Sequence, residues 1–177
     1  MGRRKTYFVF RLAQPDLGNS NPHSVAVAVK QFFLELPEPI FPFDVYPKVK
    51  EGYPADGLEK DQLDFMREIL ALLPPLNLYV LNYLFEFLLQ IMAHSQVNLM
   101  SATNLGVVFS SGLIRPKVID VVSLMNNTNS RVVDLLLTHW ETLGPSLMES
   151  IDLSTFLSSR SPQSQSAPQL GRPRSAR

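Results

Sequence analysis

Along residues 24–43, SVAVAVKQFFLELPEPIFPF, apolar positions first recur at helical spacing and then lose it at a run of prolines. Val25, Val29, Phe32, Phe33 and Leu36 share one helical face, and Ser24 is the predicted N-cap. Pro37 ends the helix, because proline donates no backbone hydrogen bond and disfavours helix at the residue before it. Pro39 and Pro42 keep the next residues extended, which lays Ile40, Phe41 and Phe43 against a core. Lys30 and Leu34, four residues apart, stack on a separate strip of the same helix.

The same reading extends along the chain. A short helix is predicted around 45–50. Asp56 and Glu59 have capping-box spacing ahead of a helix over 58–73, whose apolar face is Phe65, Ile69, Leu72 and Leu73. Pro74 and Pro75 stop it. A long helix follows from Leu76 to near Val97. Its first nineteen residues, LNLYVLNYLFEFLLQIMAH, approach the length of a membrane span. However, Asn82, Glu86, Gln90 and His94 recur every fourth residue as a polar stripe, which marks the buried centre of a helical domain. The stripe then faces solvent, a neighbouring polar group or a partner.

Ser101 caps a shorter helix through Asn104 to Phe109, and Asn126, Asn127 and Asn129 mark a polar loop. A last helix over 130–143 carries Val132, Val133, Leu136, Leu137 and Trp140, and Gly144 with Pro145 closes it. Residues 6–12 read as a short strand or irregular edge and 14–22 as loop. Three segments follow: an irregular 1–22, a helical domain over 23–150, and a Ser/Pro/Gln/Arg-rich tail over 151–177 predicted to be disordered. The fold class is all-α, a globular helical bundle.

Composition narrows the functional classes. A chain of 177 residues with 45% hydrophobic and 18% charged residues is globular, and its net charge of zero offers no bulk attraction to nucleic acid or an anionic membrane. Without cysteine there is no disulfide framework and no thiolate metal site. The apolar run near the N-terminus stops at Arg11, too short for a signal-peptide core. Neither nucleic acid binding nor a transmembrane segment is expected.

An active site of the chain's own is hard to assemble. His23, His94 and His139 lack ligand spacing and read as structural or surface residues, so no metal site is expected. There is no GxxxxGK[ST] phosphate loop, and Ser110 and Ser111 in VVFSSG lack the first glycine of a GxSxG elbow. Glu86 and Asp134 read equally well as solvated helix charges. No cofactor is expected.

Two longer stretches carry a family resemblance. HSVAVAVKQFFLELPEPIFPFDVY resembles the helix-and-corner signature of Rho GTPase-activating (RhoGAP) domains, typically VAxxLKxFLRELPEPL. LLPPLNLYVLNYLFEFLLQIMAHSQVNLMSATNLGVVFSSGLIRPK is similar to the family's LPxxNxxxLxxLxxFLxxV…NxMxxxNLAxxFgPxLlrp. The resemblance runs from His23 to about Lys117. It implies a RhoGAP-like helical bundle that binds a Rho/Rac/Cdc42-type small GTPase in its GTP-bound form and stimulates hydrolysis with an arginine finger. It also implies a cytoplasmic regulator of another enzyme, recruited where membrane-associated GTPases reside.

Residue by residue, Lys30 matches the family's basic position on this helix, and Asn104 matches the asparagine of the NLA motif. Asn98 matches the asparagine before xM, where a structural capping role competes with a contact. For Lys30 the alternative is an ordinary solvated lysine, and for Asn104 a helix cap or buried hydrogen bond.

The departures carry as much information. The family's arginine in LREL is Leu34 here, and GP after NLAxxF is a pair of serines. The finger-bearing GxFRxSG loop and the helical segment after it have no recognisable counterpart, so the bundle is expected to be incomplete at its N-terminal end. Arg11, in FVFRLA, only echoes IFRxSG: Phe8 holds the glycine position, and nineteen positions separate Arg11 from Lys30. A finger contributes about 10³ to 10⁵ in rate, roughly 4 to 7 kcal/mol, more than Lys30 and Asn104 can replace.

Weak or no activation is therefore expected, with apolar residues exposed on the Ser24 and Leu76 helices. The alternatives are a non-catalytic GTPase- or protein-binding module and an unstable splice fragment.

Overall fold

The computed structural model describes residues 21–118 and 127–149. Those residues form seven helices: α1 (Pro22–Glu35), α2 (Tyr46–Gly52), α3 (Glu59–Ala71), α4 (Pro75–Met92), α5 (Ser95–Asn98), α6 (Ala102–Leu113) and α7 (Thr128–Glu149). There is no strand among them, and the architecture is all-α. No helix among the described residues is long and apolar enough to cross a membrane. The readings of 6–12 and of the tail lie outside the described residues.

Several boundaries differ from the sequence reading, each for a local reason. Helix α1 starts at Pro22 because Asn21, not Ser24, is the cap: its side chain accepts from the His23 amide at 2.9 Å, and proline suits the first helical position. The Asp56/Glu59 capping box does not form, since Leu58 is the N-cap of α3 without a side-chain bond. Instead, Gln62 reaches back to the carbonyls of Pro54, Ala55 and Gly57 at 3.1–3.4 Å and ties down the preceding loop.

Of the predicted face of α3, Ile69 and Leu73 are buried and Phe65 packs on the core, but Leu72 is exposed, and Met66 and Leu70 are buried as well. The long central helix breaks after Met92, and α5 follows as a separate turn. Helix α7 begins at Thr128, so Asn129 is helical, and its side-chain amide donates to the Ile114 carbonyl at 3.1 Å. It also runs through Gly144 and Pro145. Leu143 is buried and Leu147 packs on the core, so tertiary contact holds the turn that proline weakens.

Helices α6 and α7 form the closest-packed pair. A methyl at Gly106 would stand 2.7 Å from the Ser130 carbonyl oxygen, so the crossing requires a residue without Cβ. At Gly112 the same argument brings α1 onto α6, with Phe33 Cβ 3.0 Å from where a Cβ would be. Helix α4 joins α7 through Phe85 and Trp140, whose rings meet edge to face with centroids 4.7 Å apart. The Trp140 indole donates to Asn82 Oδ1 at 3.0 Å, so one end of the polar stripe on α4 meets a buried partner. Glu86, Gln90 and His94 continue it into solvent.

Helix α1 is the exception to this packing. Of its five predicted core residues only Phe33 is buried, Phe32 is exposed, and Val25, Val29 and Leu36 are half-buried. The bare apolar residues expected on the two helices are present as Val27, Phe32 and Leu34 on α1 and Leu76, Tyr79, Tyr83 and Phe87 on α4.

Candidate functional site

The corner after α1 is held from three directions. Arg115 donates to the carbonyls of Phe33, Gly112 and Leu36, so its cation sits at the C-terminal end of α1, where unpaired carbonyls and the helix dipole favour positive charge. Burial lowers its pKa from the usual guanidinium value without threatening its charge. Asn77, at the start of α4, donates to the Ile40 carbonyl at 2.7 Å. The Phe41 amide donates to the Leu113 carbonyl at 3.0 Å, and the Phe43 amide to Glu38 Oε1 at 3.2 Å. The proline brake is thereby fixed against α4 and α6, with Phe41 fully buried beneath it.

That corner fixes the direction of α1 and therefore the strip carrying Lys30. Val27, Lys30 and Leu34 lie at i, i+3 and i+7, so they form one row along the helix. Lys30 is half-buried, while Val27 and Leu34 are 45% and 43% exposed. Among the described residues the Lys30 ammonium has no carboxylate within ion-pair distance. An unpaired cation between two exposed aliphatic residues offers a partner both charge and apolar area.

Asn98 and Asn104 converge on one turn. Asn98 donates to the Ile91 carbonyl at 2.8 Å, and its Oδ1 accepts from the Met100 amide at 2.8 Å. Asn104 donates to the Leu99 carbonyl at 2.6 Å, while its own amide is capped by Ser101 Oγ at 3.3 Å. Between them Leu99 is held in the left-handed region, φ 59°, a conformation that costs a non-glycine residue on the order of 1 kcal/mol. The turn presents Val97 and Leu99, 87% and 73% exposed. Both asparagine amide groups are thus committed to backbone carbonyls. Asn104 Oδ1 carries no hydrogen bond among the described residues.

The structure joins Asn98 and Asn104 but links neither to Lys30, which stands on the neighbouring helix. Arg11 lies outside the described residues. Sequence reasoning gave no role to Asn77, Arg115 or Gln62, and read Asn129 only as part of a polar loop. The first two stand inside the quoted LPPLN and LIRP motifs, and that recurrence was the available signal.

A polar hollow of about 210 Å³ lies elsewhere, between α3 and α7, lined by Tyr53, Glu59, Gln62, Arg131, Asp134 and His139. Several of its groups are already hydrogen-bonded: Tyr53 donates to Gln62 at 3.1 Å, Arg131 donates to the Ala55 carbonyl, and Asp134 accepts from Thr103 at 3.2 Å. His139 stands 3.3 Å from Glu59. Burial raises the Tyr53 phenol, Arg131 opposes the rise and Asp134 adds to it. No group of three or more His, Asp or Glu residues among those described is placed to hold a metal.

Comparison with known proteins follows the same geography. The family model described as RhoGAP domain matches residues 4–118, a range that includes positions 11, 30, 98 and 104. Rho GTPase-activating protein gacY of Dictyostelium discoideum is 36% identical over 118 residues, 65% of this chain and 16% of that protein. Human N-chimaerin is 37% identical over 119 residues, 66% of this chain and 26% of its own length. The crystal structure of human Rho GTPase activating protein 15 superposes with a TM-score of 0.63 at 27% identity, covering 73% of this chain and 62% of that one. The chain therefore spans about a quarter or less of these two curated relatives.

Proposed function

Because this chain belongs to the RhoGAP domain family, we propose that it is a GTPase-activating-type domain that binds Rho-family small GTPases in their GTP-bound form. The contact runs through the Val27/Lys30/Leu34 strip of α1, with the 98–104 turn and Asn104 on the neighbouring α6. In this reading the chain regulates another enzyme's active site, works in the cytoplasm, and meets its partners where membranes hold them.

The observation that carries it is Lys30, without an ion-pair partner among the described residues, on an exposed row of a family-matched helix. A cation without an internal partner adds to the stability of a complex with an acidic surface and to the rate of encounter. Asn98 acts indirectly, holding the turn from which Asn104 offers its free oxygen. Hydrolysis needs a further charge at the γ-phosphate, and none of these residues supplies an arginine there. Acceleration is accordingly weak or absent unless Arg11 is delivered to the site. Leu34, an apolar residue on the strip, favours a second reading: a module that binds a GTPase without accelerating it.

Fluorescence anisotropy with a Rho-type GTPase loaded with a non-hydrolysable GTP analogue or with GDP tests the proposal. Binding should prefer the GTP-analogue form, and Lys30→Glu should weaken it by about tenfold or more, since like charges facing each other at an interface cost free energy. Equal binding of the two nucleotide forms, or an affinity unmoved by Lys30→Glu, would overturn it.

A further inference from the structure

Leu99 is the only non-glycine residue with a positive φ among the described residues, at 59°. It sits where α5 turns into α6, and both of its backbone groups are bonded. Its amide donates to the Ser95 carbonyl at 2.9 Å, and its carbonyl accepts from the Asn104 side chain at 2.6 Å. Asn98 braces the turn from the other side, donating to the Ile91 carbonyl and accepting from the Met100 amide, both at 2.8 Å. These bonds account for the left-handed backbone, but not for the leucine. Its side chain stays 73% exposed, whereas Met100 beside it packs on the core.

Glycine or asparagine takes this conformation at least cost and is the usual residue just past a helix end. A leucine here strains the backbone and then leaves its apolar surface in water, so the isolated fold gains nothing from it. Strain of this kind collects at sites of recognition, where a group is presented in a fixed direction.

The packing of α1 on α6 places Leu99 toward the Lys30 strip. Gly112 lies against Phe33, and the apolar groove between α1, α4 and α6 brings Val29 and Phe87 beside Phe109. The two helices thus run in the same direction, and the early half of α1, with Val27 and Lys30, lies toward the end of α6 that Leu99 precedes. From Phe109 back to Ala102, where α6 starts, is about 10 Å of helix, well within one interface of ordinary size.

We propose that Leu99 is an apolar contact residue for the GTPase, held out in a left-handed turn by Asn98 and Asn104 at a cost to the fold's own stability. This rests on the GTPase-binding reading above and adds the chemistry of the partner surface: an apolar patch beside the acidic group that Lys30 meets. Val97, 87% exposed on the preceding turn, enlarges the same contact.

Two substitutions separate contact from architecture. Leu99→Asn suits the left-handed turn and removes the apolar side chain, whereas Leu99→Met keeps both the apolar side chain and the strain. Urea unfolding is measured beside anisotropy binding to a Rho-type GTPase loaded with a non-hydrolysable GTP analogue. Leu99→Asn should leave the unfolding midpoint equal or raise it, yet weaken binding at least about tenfold, the scale of one lost leucine contact. Leu99→Met should bind within about threefold of the unaltered chain. The Leu99→Asn loss should also be the same at low and high salt, while the Lys30→Glu loss shrinks as salt screens it.

Unchanged affinity in Leu99→Asn, with Lys30→Glu still weakening the complex, would overturn this inference and leave the GTPase reading standing. A lowered unfolding midpoint would overturn it too, by making Leu99 a structural residue. If the unaltered chain shows no preference for the GTP-analogue form, the GTPase reading itself fails and the assignment of Leu99 falls with it.

Discussion

Phe85 and Phe87 stand two residues apart on α4 and have opposite fates. Phe85 is fully buried and meets Trp140 of α7, whereas Phe87 is 46% exposed on the groove beside α1. The contrast divides the whole molecule. On the α6/α7 side Gly106 allows the two helix backbones to close, and every buried side-chain nitrogen or oxygen among the described residues has a hydrogen-bond partner. On the α1/α4 side Val27, Phe32, Leu34, Tyr83 and Phe87 are left in contact with water. The closed side holds the fold and the open side holds the surface available to partners, so a signature spread over both reports two different things.

Truncation should separate the two phenylalanines most sharply. Phe85→Ala should cost about 3–5 kcal/mol, the range for emptying a buried aromatic site, while Phe87→Ala should cost less than about 1 kcal/mol. Urea unfolding midpoints check both, and similar losses would erase the distinction.

Next in size is the hinge between the sides. Arg115→Ala removes the cation that holds the carbonyls of Phe33, Gly112 and Leu36, and should cost about 2–3 kcal/mol, with α1 amides exchanging faster in hydrogen-exchange measurements. A loss of stability that leaves α1 exchange untouched would mean that the corner is held by packing alone.

On the open side, Lys30→Glu should leave the unfolding midpoint nearly unchanged while lowering GTPase affinity by about tenfold, or about 1.4 kcal/mol. The smallest effect belongs to Tyr53. Its phenol is raised by burial above the ordinary 10.0, so the folded chain keeps that proton to higher pH than the unfolded chain does. Its contribution is complete below that ordinary value and is lost as pH rises through the folded one. Tyr53→Phe should cost about 0.5–1.5 kcal/mol at neutral pH, by deleting the bond to Gln62, and flatten the alkaline fall in stability.

What the sequence revealed divides along the same line. The helical class, the proline brake at Pro37 and the Ser101 cap follow from local chemistry, and the structure contains all three. Local chemistry also misled where a distant contact overruled it. Gly144 and Pro145 read as a stop, yet Leu143 and Leu147 pack on the core and carry α7 onward. Leu72 fits the helical period of Phe65, Ile69 and Leu73, all of which pack on the core, but the period alone does not show that Leu72 faces water.

For the candidate site, the choice of Lys30, Asn98 and Asn104 as candidates was legible. Their state of partnership was not, because it depends on atoms far away in sequence. Asn98 turned out to bridge Ile91 and Met100, and Arg115 to reach 79 residues back to Leu36.

The central proposal is that this chain meets a Rho-type GTPase through the Lys30 strip without placing an arginine at the reacting phosphate. Single-turnover GTP hydrolysis by a Rho-type GTPase, followed with the chain at saturating concentration, tests it directly. The expected result is a rate within about tenfold of the GTPase alone, far below the 10³ to 10⁵ that a working finger contributes. An acceleration of that larger size, abolished by Arg11→Ala, would contradict the claim and make Arg11 the finger.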